Sequence, residues 1–164
     1  MFRAVQLVGE AVAKVASTIG EALSEQHIDS SVELLVGGRV GDGPLRLFLV
    51  YSIGNFIECT PEVPFLQIGE TKYGRPILDR TLRYGTSLPE AVKIGCLSFD
   101  STMASNLGVA RPIDVLVLPR GAAAPITHRI GRDDEYFQEL TRCWGGMLRD
   151  ATASLPPPPW VPFD

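Results

Sequence analysis

The chain is poor in several features that would assign its class directly. Its 164 residues include only three cysteines, Cys59, Cys96 and Cys143. None stands in a C-x-x-C pair, which argues against a disulfide scaffold and for reduced, partly buried thiols. Histidine is scarcer still: His27 and His128 are the only two, and no local pattern joins either to a serine or cysteine nucleophile. Positive charge is not in excess either, with 15 Lys and Arg against 19 Asp and Glu, a net charge of -4 and a pI near 5.2. Without a basic cluster interleaved with aromatics, nucleic acid is not an expected partner. Long apolar runs are missing too. The most apolar stretches, Leu45 to Tyr51 and Ile113 to Leu118, fall far short of the roughly 20 residues that span a bilayer. Glu10, Lys14 and Glu21 interrupt the amino-terminal segment at helical spacing and no small-residue cleavage site follows, so no signal peptide is read there. A cytoplasmic location and no membrane contact are the resulting expectations.

What is present fits one globular domain: 45% of the residues are hydrophobic and 21% charged, and the domain is expected over residues 1–154, followed by a Pro-rich tail over 155–164. Val5, Val8, Val12, Val15, Ile19 and Leu23 recur three or four apart, which predicts an amphipathic helix over Phe2 to Ser24. Val32 to Val36 and Leu45 to Tyr51 flank a turn-rich stretch and predict a hairpin, with a third strand at Phe56 to Cys59. The glycines from Gly37 to Gly43 follow a strand, but a strand rather than a helix comes next, so they form a hairpin loop and no phosphate-binding helix terminus. Beyond Pro61 and Pro64, a short strand at Phe65 to Ile68 is expected, then a helix from about Lys72 to Arg83 ended by Gly85. Ser87 with Glu90 three residues on suggests a capping box opening a third helix that runs past Asp100 and stops before Gly108 and Pro112. Ile113 to Leu118 and Ile126 to Ile130 predict a second hairpin, and Asp133 to Arg149 a last helix. The four consecutive prolines from Pro156 to Pro159 rule out regular helix in the tail. That tail is either a polyproline ligand with Trp160 or a disordered end. The order of elements is mixed rather than alternating, an α+β arrangement of sheets between helical layers.

Several blocks then share one resemblance. Arg46-Leu47-Phe48-Leu49-Val50-Tyr51, Gly54-Asn55-Phe56-Ile57-Glu58 and Gln67-Ile68-Gly69-Glu70-Thr71-Lys72-Tyr73-Gly74 resemble the proteasome-related bacterial peptidase family called Anbu. Pro76-Ile77-Leu78-Asp79-Arg80 and Ser98-Phe99-Asp100-Ser101-Thr102-Met103 do so as well, in the same order, and the resemblance extends to about Arg149. It implies the alpha-beta-beta-alpha sandwich of N-terminal-nucleophile hydrolases, similar to proteasome beta subunits and to HslV. It also implies peptide-bond hydrolysis by an amino-terminal threonine whose own amine or a nearby lysine takes the proton, within a homo-oligomeric ring or spiral acting on peptide or protein substrates. No cofactor is required. The sequence begins Met1-Phe2-Arg3, and a bulky second residue prevents removal of the initiating methionine. The expectation is therefore a chain that lacks the family's first strands, with their threonine and lysine, and is inactive by itself. Either the start is assigned too late or the protein is a shortened, non-catalytic structural or binding subunit. Exposed sheet edges and apolar faces would make such a chain oligomeric or prone to aggregate.

By resemblance, the supporting groups are Asp100, Glu70 and Thr71. Asp100 corresponds to the aspartate near the nucleophile and its amine, where a carboxylate would orient that amine and raise its proton affinity. From the residues alone, it is equally a local hydrogen-bonding group. Proteasome subunits place a serine three residues after this aspartate, and Met103 stands there; the nearby hydroxyls are Ser101, Thr102 and Ser105. Glu70, with Thr71 next, stands where proteasomes and HslV carry a glycine-flanked serine. It is either a site acid or a carboxylate favoured by a helix dipole. The stretch from Phe99 to Ser105 resembles the turn at which HslV-type subunits hold a monovalent or divalent cation through main-chain carbonyls, here those of Phe99, Thr102 and Ser105. Capping by water and hydroxyls is the alternative.

Overall fold

The computed structural model describes residues 1–29 and 31–161; Ser30 and the last three residues of the tail lie outside the described part. Its elements run α1 (Phe2–Glu25), β1 (Leu34–Gly38), β2 (Arg46–Val50), β3 (Phe56–Glu58), α2 (Arg75–Thr81), α3 (Leu88–Ser105), β4 (Ile113–Val117), β5 (Ile126–Ile130) and α4 (Glu135–Ser154). This is the expected mixed α+β order, with two small antiparallel sheets: β1-β2-β3 and β4-β5.

In the first sheet Leu34 faces Val50 and Leu35 faces Leu49 across β1 and β2, while Leu49 faces Ile57 across β2 and β3. Because side chains alternate between faces, Val36, Phe48, Val50 and Phe56 point the same way. They meet Val5, Val8 and Val12 of α1, with Val5, Phe48 and Val50 almost wholly buried. Phe56 lies edge-on to both Phe2 and Phe48, with ring centres 5.2 and 5.9 Å away. The helix approaches the sheet through glycine: a Cβ built on Gly9 of α1 would stand 2.2 Å from the carbonyl oxygen of Gly54, in the turn between β2 and β3.

The second sheet shares a core with α3 and α4, which also touch each other. Ile113 faces Ile130, and both are buried with Cys96 of α3 and Phe137 of α4; Val92, Met103, Val115 and Leu140 close the cluster. Helix α2 lies against α3, burying Leu78 and Ile94.

Four expectations are corrected. Phe65 to Ile68 forms no strand: Pro64 precedes it, Gly69 at φ +79° turns the chain out of extended geometry, and no described strand pairs with it. Helix α2 starts at Arg75, later than Lys72, because Pro76 occupies its first turn, where a missing N–H costs nothing. It ends at Thr81, before Gly85, and the Arg83 guanidinium caps the carbonyls of Asp79, Arg80 and Leu82. Ser87 occupies the N-cap of α3, but its side chain makes no capping bond, and Glu90 turns instead to Lys93 at 2.7 Å. At α4, Asp134 rather than Asp133 is the cap, accepting from the Phe137 amide at 2.8 Å, and the helix continues past Arg149 to Ser154. From Leu155 to Val161 the chain is exposed and non-helical.

Candidate functional site

The sequence-predicted groups fall on two faces of α3. Helical geometry turns about 100° per residue, so Ser98 and Thr102 share a face while Asp100 lies about 200° from Ser98. The structure follows that geometry. Ser98 and Thr102 are buried against the start of α2, where a Cβ on Gly74 would stand 2.2 Å from the Ser98 hydroxyl and 2.9 Å from that of Thr102. Asp100 points toward α4, and its carboxylate accepts from the Thr141 hydroxyl at 2.6 Å. It serves as a strut between helices.

Glu70 lies at the carboxy-terminal end of α3, in the loop that leads into α2. One carboxylate oxygen accepts from the Lys72 amide and the other from the Asn106 side-chain amide, each at 2.9 Å. Asn106 is the C-cap residue of α3, and its own N–H donates to the Thr102 carbonyl at 2.8 Å. The Lys72 N–H first, and then the Asn106 amide and the Lys72 charge, hold the Glu70 carboxyl below its usual range, partly opposed by burial. Glu70 is thus held as an ionised acceptor. Thr71 is half-buried beside it, and its carbonyl accepts from the Arg75 amide at 3.1 Å. The structure therefore ties Glu70 through Asn106 to the end of α3, with Thr71 next in the loop, and pairs Asp100 with α4 instead. Asn106 was missed by sequence reasoning; the only available signal was its spacing of four residues from Thr102.

Ile68 and Gly69, just before Glu70, form one wall of an open cleft of about 650 Å³, whose other walls carry Ser31, Glu33, Tyr51, Ser52 and Asn55. It is shallow and mixed in polarity.

Of the three carbonyls suggested for a cation, two already accept one hydrogen bond each. Phe99 lies well inside α3, where its carbonyl belongs to the helical ladder, and the Thr102 carbonyl is taken by the Asn106 amide. Only Ser105 stands at the helix end. Among the described residues no cluster of three or more His, Cys, Asp or Glu side chains is placed to hold a metal ion. Among them, too, no helix is long and apolar enough to cross a membrane.

No protein-family model matches the chain, and no curated protein does. Solved structures do match. The chain is similar to Anbu (ancestral beta-subunit) from Yersinia bercovieri, at 38% identity and TM-score 0.85 over 98% of this chain and 66% of that one. It is similar to Anbu from Hyphomicrobium sp. strain MC1, at 40% identity and TM-score 0.81 over 100% of this chain and 64% of that one. A third match is the helical assembly of the Anbu complex from Pseudomonas aeruginosa, at 42% identity and TM-score 0.79 over 92% of this chain and 66% of that one. The chain therefore spans just under two thirds of the length of these relatives. Such identity, spread over nearly all of its helices and both sheets, means that the chain belongs to the Anbu family and has its proteasome-related fold.

Proposed function

We propose that the chain is a subunit of a proteasome-like threonine peptidase and contributes the supporting wall of the active site rather than the nucleophile. The observation that carries this is Glu70. Its carboxylate is ionised, both its oxygens are held by donors, and it lies beside an open cleft, in a chain that aligns with Anbu structures at TM-scores up to 0.85. An amino-terminal threonine needs its ammonium or amine oriented, and a fixed anion does this without reorganising during the reaction. Glu70, with Thr71 next to it, takes that role; Asp100, paired with Thr141, supports it by keeping α3 and α4 in place. The substrate is a peptide or protein chain lying in the cleft, and the subunits assemble into a homo-oligomer in the cytoplasm. Residues 1–154 carry this role and the prolyl tail is dispensable. The 164 residues alone do not hydrolyse peptides.

The test compares two proteins: the 164-residue chain, and the same chain joined after the amino-terminal third of an Anbu relative ending in the correct register. Hydrolysis of fluorogenic peptides by the joined protein only, lost on Glu70→Gln, is the expected result. Inactivity of both would support a non-catalytic structural or binding subunit, a second reading favoured by one observation: the Asp100 carboxylate is committed to α4 instead of facing the cleft side.

A further inference from the structure

We infer that Asn106 is a positioning residue for Glu70, fixing where its carboxylate points and keeping it ionised. This inference rests on the role proposed for Glu70. The geometry determines the orientation of the Asn106 amide. Its Oδ1 accepts from the Gly108 amide at 2.8 Å, while its Nδ2 donates to Glu70 Oε2 at 2.9 Å. A backbone N–H can only donate and a carboxylate can only accept, so the flipped amide would face a donor with a donor and an acceptor with an acceptor. The side chain has one workable orientation.

The backbone of the same residue is equally constrained. The Asn106 N–H donates to Thr102, and its carbonyl accepts from the Val109 amide at 3.2 Å. Asn106 therefore joins the rigid end of α3 to a loop that has no regular structure of its own. Glu70 is held from the other side by the Lys72 amide, so the carboxylate is clamped between an element end and its own loop. Close by, the Gln67 side-chain amide donates to the Glu70 main-chain carbonyl at 3.4 Å, a further bond within the loop.

Asn106→Asp is the informative variant, because it keeps an acceptor for Gly108 and replaces the donor facing Glu70 with a like charge. Two readouts follow. In the 164-residue chain, carboxyl-carbon NMR should show Glu70 titrating at higher pH in Asn106→Asp than in the parent, while Thr141→Ala, which frees Asp100, leaves Glu70 unmoved. In the joined protein, the acid limb of the peptidase pH profile should move up by the same interval with KM unchanged. An unmoved Glu70 titration in Asn106→Asp would overturn the inference whatever the activity. So would a moved titration with an unmoved acid limb in a protein that Glu70→Gln inactivates. If Glu70→Gln retains full activity, the role proposed for Glu70 fails, and the titration alone decides whether Asn106 positions it. If the joined protein is inactive, the titration decides as well.

Discussion

The molecule has two packed regions of similar core size and different closure. In the first, one helix, α1, lies on one face of β1-β2-β3; in the second, α3 and α4 touch each other and share one core with the β4-β5 hairpin. Each has a small set of nearly inaccessible residues: Val5, Phe48 and Val50 in one, Cys96, Ile113, Ile130 and Phe137 in the other. The first region is open on both sides. On the sheet face turned away from α1, Leu35 and Ile57 remain exposed on either side of buried Leu49. Along α1 itself, the apolar stripe is buried only near its start: Val15 and Ile19 keep 56% and 46% of their surface in water, in an apolar groove of about 450 Å³. A regular hydrophobic period therefore makes an amphipathic helix, but the sheet beneath it decides how many of its turns are covered.

The largest test of this comparison is Phe48→Ala. Losing a fully buried aromatic costs about 3–5 kcal/mol, a large share of the marginal stability of a domain of this size. Because the two cores have no buried residue in common, the loss should fall on the first region. The fluorescence of half-buried Trp144 on α4, read in a Trp160→Phe background, should stay native-like after the α1 signal in amide hydrogen exchange has collapsed. Simultaneous loss of both signals would mean that the regions unfold as one unit.

A smaller effect is expected from Gly54→Ala. Gly54 adopts φ +85°, and a Cβ there would stand 2.5 Å from the Gly9 carbonyl oxygen. Overpacking costs about 1–3 kcal/mol and a left-handed alanine about 1–2 kcal/mol, so with partial relaxation a loss of roughly 2–4 kcal/mol should appear in urea unfolding. Gly85→Ala, where an added Cβ would meet nothing within 4 Å and φ is ordinary, serves as the neutral control. Equal effects at both positions would remove the helix-to-turn contact as the determinant of the first region.

Acid should affect the second region through α4. The Phe137 amide first, then His128 and Arg111, hold the Asp134 carboxyl below its usual range, and Arg142 first, then Cys143, hold Glu139 down to about 2. A carboxyl depressed in the folded state contributes stability above its unfolded value, and that contribution is lost as pH falls through the folded one. Trp144 fluorescence should therefore be flat above about pH 4.5, the ordinary value for Glu139, and decline as the pH falls toward about 2. Glu139→Gln should flatten the lower part of that decline. The change at Glu139 is modest, because that carboxylate is solvent-exposed and screened.

The elements of both regions were legible in the sequence, and their contacts were not. Periods of 3.6 and 2 predicted α1, both hairpins and α3 because those signals are local. The start of α2 was placed too early, at about Lys72, because the constraint of Pro76 in the first turn went unread. The site was only half legible. Motif order led to Glu70 and Asp100, but not to their different partners, since Asp100 is paired with Thr141, 41 residues further on, and Glu70 with Asn106, 36 residues beyond it. The capping box at Ser87 failed because Glu90 had a closer partner in Lys93. Local patterns rank candidate partners but cannot see competitors.

The smallest effect belongs to the exposed half of α1, and a null result there is informative. Val15→Gln with Ile19→Gln removes apolar surface that the folded chain does not bury, so stability should stay within about 0.5 kcal/mol of the parent, as surface changes do. Val5→Ala, on the same stripe but fully buried, removes two methyl groups from the core and should cost about 1–3 kcal/mol by transfer and cavity terms. If the Gln pair destabilises the chain as much as Val5→Ala, α1 is covered along its whole length in solution by a second polypeptide surface, and the cost should then grow with protein concentration. Sedimentation velocity across a concentration series separates the outcomes. A parent that self-associates while the Gln pair does not places the contact on this groove. Equal association in both places it elsewhere, on the free edges of the sheets, where unpaired strand N–H and C=O groups remain available for pairing.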